Sequence, residues 1–412
     1  MKGSRLLIAL IAVIVYEILM TYIGPDGFSL SKVGITLLVW FSLYQSVSVF
    51  ILRYNDLREV MPPYAFRIFA ILMLWNFINI GRSALDPSNS LTTLLGNKAT
   101  SLALLVPFSI SFSVEKENIP TAYNFLLRLI MISVPFYAVF LLLSGTPDDP
   151  RINHIFQNLL YGSVFLIIII PFQDGKKNLL VLTGSAMLFL AFVHTEFRTV
   201  MLRVILLFIA VAGVYVIRRY NLRALLIVAY LGLCLPFYFL IDSIRTGQSA
   251  FEKYLVLVDD QELATDTRTF LYTEVYDDLK HNELLTVGKG SIARYYSPYF
   301  AMEEGDYMIR LSVEAGILAI LLSGGFIAVL LNLALLLIAI YLALFRSRNY
   351  FVVSAGLFLI VHTVLLFIES FVVYSLYNLM VWFLIGICLS EEIRSMNNTK
   401  IYNLLNHEGT LS

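Results

Sequence analysis

The chain has 412 residues, of which 59% are hydrophobic and only 14% charged, with a mean hydropathy of +0.79. A soluble globular protein of this length cannot bury so much apolar surface, so composition excludes that class and indicates a membrane protein. The formal net charge is zero, which argues against a nucleic-acid partner, and the two cysteines, Cys234 and Cys388, lie inside apolar runs where no disulfide framework or CxxC metal site is possible.

A membrane-spanning helix needs about 20 mainly apolar residues. By that rule twelve spans are predicted, over about 5–23, 33–52, 64–81, 91–113, 122–144, 154–172, 179–195, 198–217, 223–241, 311–345, 350–369 and 371–390. The first follows Lys2 and Arg5 and has no small-residue cleavage site behind it, so it reads as an uncleaved helix. The fourth contains Asn97 and Lys98, and the seventh and eighth nearly touch. The tenth is longer than a bilayer requires, and three readings stay open: tilt, an interfacial first turn, or a break at Ser323-Gly324-Gly325. Pro107, Pro135, Pro171 and Pro236 lie within spans, where kinks are expected. With the N-terminus inside, the inner segments carry 15 Lys and Arg against five in the short outer loops, so both termini are expected in the cytoplasm. The predicted organisation is nine spans over 1–241, a large extracytoplasmic loop over 242–310, three spans over 311–390, and a cytoplasmic tail over 391–412.

That loop is the long polar stretch of the chain. From Arg245 to Arg310 it holds seven Lys and Arg against twelve Asp and Glu, a net charge of −5. Long loops without a role are uncommon, so the chemistry is expected here. From Thr267-Arg268 to about Lys280, apolar or aromatic residues at 271, 272, 275, 276 and 279 form a helical stripe, predicting an amphipathic helix on the membrane surface or the bundle. Gly288-Lys289-Gly290-Ser291 is a glycine turn that lacks the P-loop spacing. Glu303-Glu304-Gly305-Asp306-Tyr307 then leads towards Arg310 and the tenth span.

Charged residues inside spans are costly and therefore informative. Arg203 lies about one and a half turns into the eighth span, where its charge costs several kcal/mol unless it snorkels, pairs or lines a wet cavity. The bland readings are a pair with Glu196 or snorkelling. Arg198 belongs to the same run. Arginine suits a pyrophosphate because its planar fork donates two parallel hydrogen bonds and keeps its charge. Glu17, His154, His194, His362, Asn158, Asn332 and Asn378 are scattered without metal-site spacing, and each histidine reads as a helix contact rather than a ligand. Arg128 is expected to snorkel, and Glu369 closes the eleventh span on the outer side, facing the loop.

Taken together, Arg198, Arg203, Arg268, the Gly288-x-Gly290 turn, Tyr307, Glu314, Gly316 and Ile317 resemble the O-antigen ligase and O-antigen polymerase family of bacterial polysaccharide assembly. The likeness covers roughly His194–Leu322 by motif and the whole chain by topology. It implies an all-α polytopic membrane protein, GT-C-like, with about twelve transmembrane helices and one large periplasmic loop, in the bacterial inner membrane. It also implies glycosyl transfer from a glycan carried on undecaprenyl pyrophosphate, without cofactor or metal. Donor and acceptor would both be lipid-linked oligosaccharides, with a chain-length regulator and a flippase as candidate protein partners. Arg198, Arg203 and Arg268 would hold the pyrophosphate, with Lys289, Arg294, Glu304, Tyr307 and Arg310 as further substrate contacts. Tyr295, Tyr296, Tyr299 and Tyr307 suit sugar faces. Ligases of the family place a histidine, usually followed by asparagine, before the tyrosine stretch; this chain has Gly305-Asp306, which argues for a polymerase. Asp306 is then the expected proton acceptor, with Glu304 next and a helix N-cap as the bland alternative. A flippase or transporter would call for broken helices and repeat symmetry. Another polytopic glycosyltransferase would call for an acidic pair in the first outer loop, where only Asp26 stands.

Overall fold

In lipid a helix satisfies its own backbone, and each of the twelve predicted stretches contains one. The structure, a computed structural model, describes residues 4–23, 30–86, 103–144, 155–156, 158–173, 175–193, 198–220, 224–238, 269–298, 309–310, 313–370 and 372–406. In chain order the elements are α1 (Ser4–Ile23), α2 (Leu30–Leu52), the short α3 (Tyr54–Val60) and α4 (Pro63–Leu85), then a 3₁₀ run over Ala103–Val114 and α5 (Asn118–Ser144). Next come α6 (Gly162–Leu166), continuing as 3₁₀ over Ile167–Phe172, then α7 (Gly175–Val193), α8 (Arg198–Tyr220) and α9 (Ala224–Gly232). The loop contributes α10 (Thr269–His281) and a two-residue antiparallel ribbon, β1 (Tyr295–Tyr296) with β2 (Ile309–Arg310). The chain then forms α11 (Gly316–Phe345), α12 (Tyr350–Leu365), α13 (Leu376–Leu389), α14 (Glu391–Ser395) and α15 (Asn398–Asn406).

Among the described residues four helices are long and apolar enough to cross a membrane, within α2, α4, α5 and α11, and six shorter apolar helices accompany them. The protein is therefore an all-α, multi-pass membrane protein. Two predicted α-helical spans are tighter than expected. Ala103–Val114, with Pro107 inside, and Ile167–Phe172, with Pro171 inside, are 3₁₀. Proline removes a backbone donor and crowds the preceding turn, which breaks the α-helical ladder. At about 2 Å per residue, twelve 3₁₀ residues still cover about 24 Å. Ser109, Ser111 and Ser113 each return a hydroxyl hydrogen bond to the carbonyl three residues back. Gly386 of α13 lies against this run because a side chain there would strike Ser113 and the Ile110 carbonyl.

Of the three readings of the over-long tenth span, the structure selects the break. Thirty α-helical residues rise about 45 Å, more than the roughly 30 Å hydrocarbon core. Gly325, at φ 65° and ψ −168°, interrupts α11. The stretch 326–345 that follows is twenty residues, a span length by itself. A break inside a membrane bundle leaves backbone groups that something must satisfy. Here the loop does so: Lys289 and Gly290 donate to the Leu322 and Ser323 carbonyls, both at 2.8 Å, and Phe326 and Ile327 donate to Leu285 and Thr286 at 2.9 and 3.3 Å. Trp75 of α4 donates its indole N–H to the Gly324 carbonyl at 2.9 Å. The glycine turn of the sequence is thus a plug in a broken helix.

The plug is tied down from α4. Arg82 donates to the carbonyls of Val287 and Gly288 at 2.7 and 2.8 Å, and Ser83 Oγ accepts from the Ile292 N–H at 3.2 Å. Gly288 has φ 67°, and a Cβ on it would stand 2.5 Å from the Gly325 nitrogen. The α10 stripe predicted from sequence is present, and it packs on the bundle: Leu271, Val275 and Leu279 are fully buried against Leu318, Leu321, Leu322 and Phe367.

At the opposite end, Arg53 pairs with Glu115 at 2.8 Å and Lys116 with Glu392 at 3.0 Å. The tail is folded back on this end, with Ile401 and Leu405 buried and Asn349 donating to the carbonyls of Ile393 and Met396. Residues predicted to be inner therefore meet one another, and Arg82, predicted to be outer, meets the loop.

Candidate active site

Arg203 on α8 meets two rings, Tyr377 near the start of α13 and Tyr161 at the N-terminus of α6. Arg203, five residues into α8, is fully buried, so it does not snorkel. Its Nη2 lies 3.2 Å from Oε2 of Glu369, just beyond α12. The guanidinium stacks over the Tyr377 ring at 4.5 Å and lies 5.7 Å from the Tyr161 ring centre. Charge pairing and ring faces together offset the cost of taking the cation out of water. Tyr377 in turn holds Nδ1 of His362 at 3.0 Å through its hydroxyl. That contact is a helix-to-helix bond, the bland reading of His362.

Glu369 is only partly buried, its side chain 21% exposed against 0% for Arg203. Its backbone is held at both ends: its N–H bonds the Leu365 carbonyl at 2.9 Å, and its carbonyl accepts the Gly316 N–H at 3.1 Å. Ile317 donates to the Leu366 carbonyl at 2.9 Å. The Gly316-Ile317 motif is thus the joint between the start of α11 and the end of α12. A Cβ on residue 316 would come within 2.7 Å of Leu366 Cδ2 and 3.1 Å of the Glu369 carbonyl, so glycine lets the two segments approach without displacing either. Tyr272 of α10 adds a hydroxyl bond to the Phe367 carbonyl, which ties the loop helix to the same corner.

A second group of sequence-predicted residues lies in the loop. Lys289 pairs with Asp278 at 2.5 Å and donates to the Arg294 carbonyl at 3.1 Å, while the Arg294 side chain is exposed. The ribbon sets Arg310 opposite Tyr295, with Glu314 at 3.9 Å from the Arg310 guanidinium. Burial pushes the Tyr295 phenol up to about 12, and the positive charge of Arg310 partly offsets that rise. Tyr295 is therefore a neutral hydroxyl at any physiological pH. Arg198 opens α8 and Arg268 immediately precedes α10, but the side chain of Arg198, and the whole of Arg268, Glu304, Asp306, Tyr307 and Glu196, lie outside the described residues.

The structure thus adds Glu369, Tyr377 and Tyr161 to the neighbourhood of Arg203. Glu369 carried a signal, since a lone carboxylate closing an apolar span is costly. The tyrosines carried none, because aromatic residues at helix ends are common in any membrane protein.

No curated protein matches this chain. A family model described as O-antigen ligase matches residues 183–333, the part that carries Arg203, the α10 loop helix, the glycine turn and the break in α11, so over these elements the chain is similar to O-antigen ligases.

Proposed function

We propose that the protein is an O-antigen or exopolysaccharide polymerase, joining repeat units carried on undecaprenyl pyrophosphate at the outer face of the cytoplasmic membrane. The observation that carries this reading is Arg203, a fully buried guanidinium at the loop-bearing end of the bundle, within the family-like region. Such a group is suited to hold a pyrophosphate and to offset its charge as the glycosidic oxygen leaves. Arg198 and Arg268, at the starts of α8 and α10, are its assigned companions, and Lys289, Arg294, Glu304, Tyr307 and Arg310 are the assigned contacts along the glycans. The acceptor hydroxyl attacks the anomeric carbon, its proton passes to Asp306, and the electron pair of the broken bond stays on the pyrophosphate oxygen. The Gly305-Asp306 pair, where ligases have histidine, favours polymerase over ligase.

The transporter reading gains one observation, the broken α11. The break is filled by loop main chain rather than left for a substrate, which supports its use in seating an enzyme's loop.

Removing the protein should leave single repeat units on the lipid carrier; long carrier-linked chains would instead mean a ligase. In the same assay Asp306→Asn should lower polymer yield a hundredfold or more, since asparagine caps a helix almost as well but cannot take a proton. Full activity of that variant would leave Asp306 as a cap. The twelve-span topology places Gly247 and Tyr299 outside and Arg219 and Arg346 inside. Cysteines introduced at these positions should react with an impermeant thiol reagent accordingly in intact cells, and external labelling at 219 would overturn the orientation.

A further inference from the structure

Arg203 already has an anion. Its guanidinium is engaged by the Glu369 carboxylate, and the rings of Tyr161 and Tyr377 cover part of what remains. A pyrophosphate that binds Arg203 must compete with that carboxylate. Glu369 is suited to yield, because its side chain is 21% exposed and has a path back to water, whereas Arg203 has none. It is equally suited to return, because its backbone is fixed by the Leu365 and Gly316 hydrogen bonds and its carboxylate cannot diffuse away. A tethered competitor acts at a high and constant effective concentration.

Product chemistry gives this competition a purpose. When the bond from the anomeric carbon to the pyrophosphate breaks, the electron pair remains on the phosphate oxygen, and the leaving lipid pyrophosphate gains an ionisable oxygen. The product is thus more anionic than the donor, and an arginine site binds it more tightly. Release of such a product limits turnover unless something displaces it.

We propose that Glu369 is an internal stand-in for the pyrophosphate on Arg203, and that by recapturing the guanidinium it expels the lipid pyrophosphate after each transfer. This rests on the pyrophosphate reading of Arg203 given above. Glu369 acts through Arg203 and is a positioning residue.

The test uses the purified full-length protein with inorganic pyrophosphate as probe, binding being read by calorimetry and by the thermal shift the ligand produces. Glu369→Gln keeps the side-chain shape without the charge, and should bind pyrophosphate roughly tenfold more tightly than wild type, the weight of one charge-assisted contact. In turnover it should show a first transfer no slower than that of wild type, at lower donor concentration, followed by a slower steady state. A merely structural glutamate would leave pyrophosphate affinity unchanged or weaken it. Should the glutamine variant fail to insert, Glu369→Asp retracts the carboxylate by one methylene and should tighten binding to a lesser degree. Affinity no greater than wild type in whichever variant folds overturns the inference alone, provided wild type binds pyrophosphate and Arg203→Gln does not. Absence of pyrophosphate binding in wild type and variants overturns the inference and the underlying reading together.

Discussion

If Arg203 holds pyrophosphate for the proposed polymerase, Arg203→Lys is expected to cut polymer formation ten- to a hundredfold while leaving the amount of inserted protein near wild type. Lysine keeps the charge and can reach the outer end of α8, so it still meets Glu369, and the bundle still forms. It loses the planar fork, which offers two parallel donors to a phosphate, and most of the stacking over the Tyr377 ring at 4.5 Å. One charge-assisted contact is worth about 1.5–3 kcal/mol, which sets the expected loss. Arg203→Leu should abolish activity with a modest effect on folding, because the partner it leaves, Glu369, is partly exposed and can hydrate. Polymer length and yield, measured at matched expression, decide the matter. A lysine variant that polymerises at the wild-type rate would make Arg203 a structural ion and remove the central support for the pyrophosphate site.

Gly325→Ala should be the most damaging single methyl group in the described part of the chain. At φ 65° and ψ −168° Gly325 occupies a region essentially closed to other residues, and forcing alanine there costs about 1–3 kcal/mol. The new Cβ would also fall on the Thr286 carbonyl and the Val287 nitrogen, which are main-chain atoms of the plug. Relief requires the turn to move out of the break, forfeiting four main-chain hydrogen bonds at about 1 kcal/mol each. The sum is a large part of a typical stability of about 5–15 kcal/mol. Loss of polymer and faster proteolysis of the loop around residues 283–293 are the expected readouts. Gly213→Ala is the control, since nothing stands within 4 Å of a Cβ there, and it should be silent. If both variants behave alike, the plug does not seat the loop.

Much of this molecule follows from local chemistry that a sequence displays. Apolar runs of span length must become helices because lipid offers the backbone no other partner, and each such run contains helix among its described residues. The α10 helix was legible because Leu271, Val275 and Leu279 recur at helical spacing, and all three are buried. Arg203 stood out because a cation inside a span is expensive unless it is used or paired. Other features depended on residues far apart in the chain. Pro107 and Pro171 announced disruption, but whether a proline kinks an α-helix or tightens it to 3₁₀ depends on what the neighbouring helices can satisfy. Arg82 read as one more outer positive charge; only the tertiary fold gives it the Val287 and Gly288 carbonyls, some two hundred residues away. Gly288 reads as a turn glycine and Gly325 as part of one of three readings of an over-long span; the reason for both is tertiary, since a Cβ on Gly288 would strike the Gly325 nitrogen and one on Gly325 would strike the Thr286 carbonyl. The partner of Arg203 was likewise decided in three dimensions. The expected pairing with Glu196 lies outside the described residues, whereas the described partner, Glu369, lies 166 residues on. Periodicity and composition act within one helix and can be read there; hydrogen bonds and charge pairs between helices depend on how the bundle closes, which no single segment encodes.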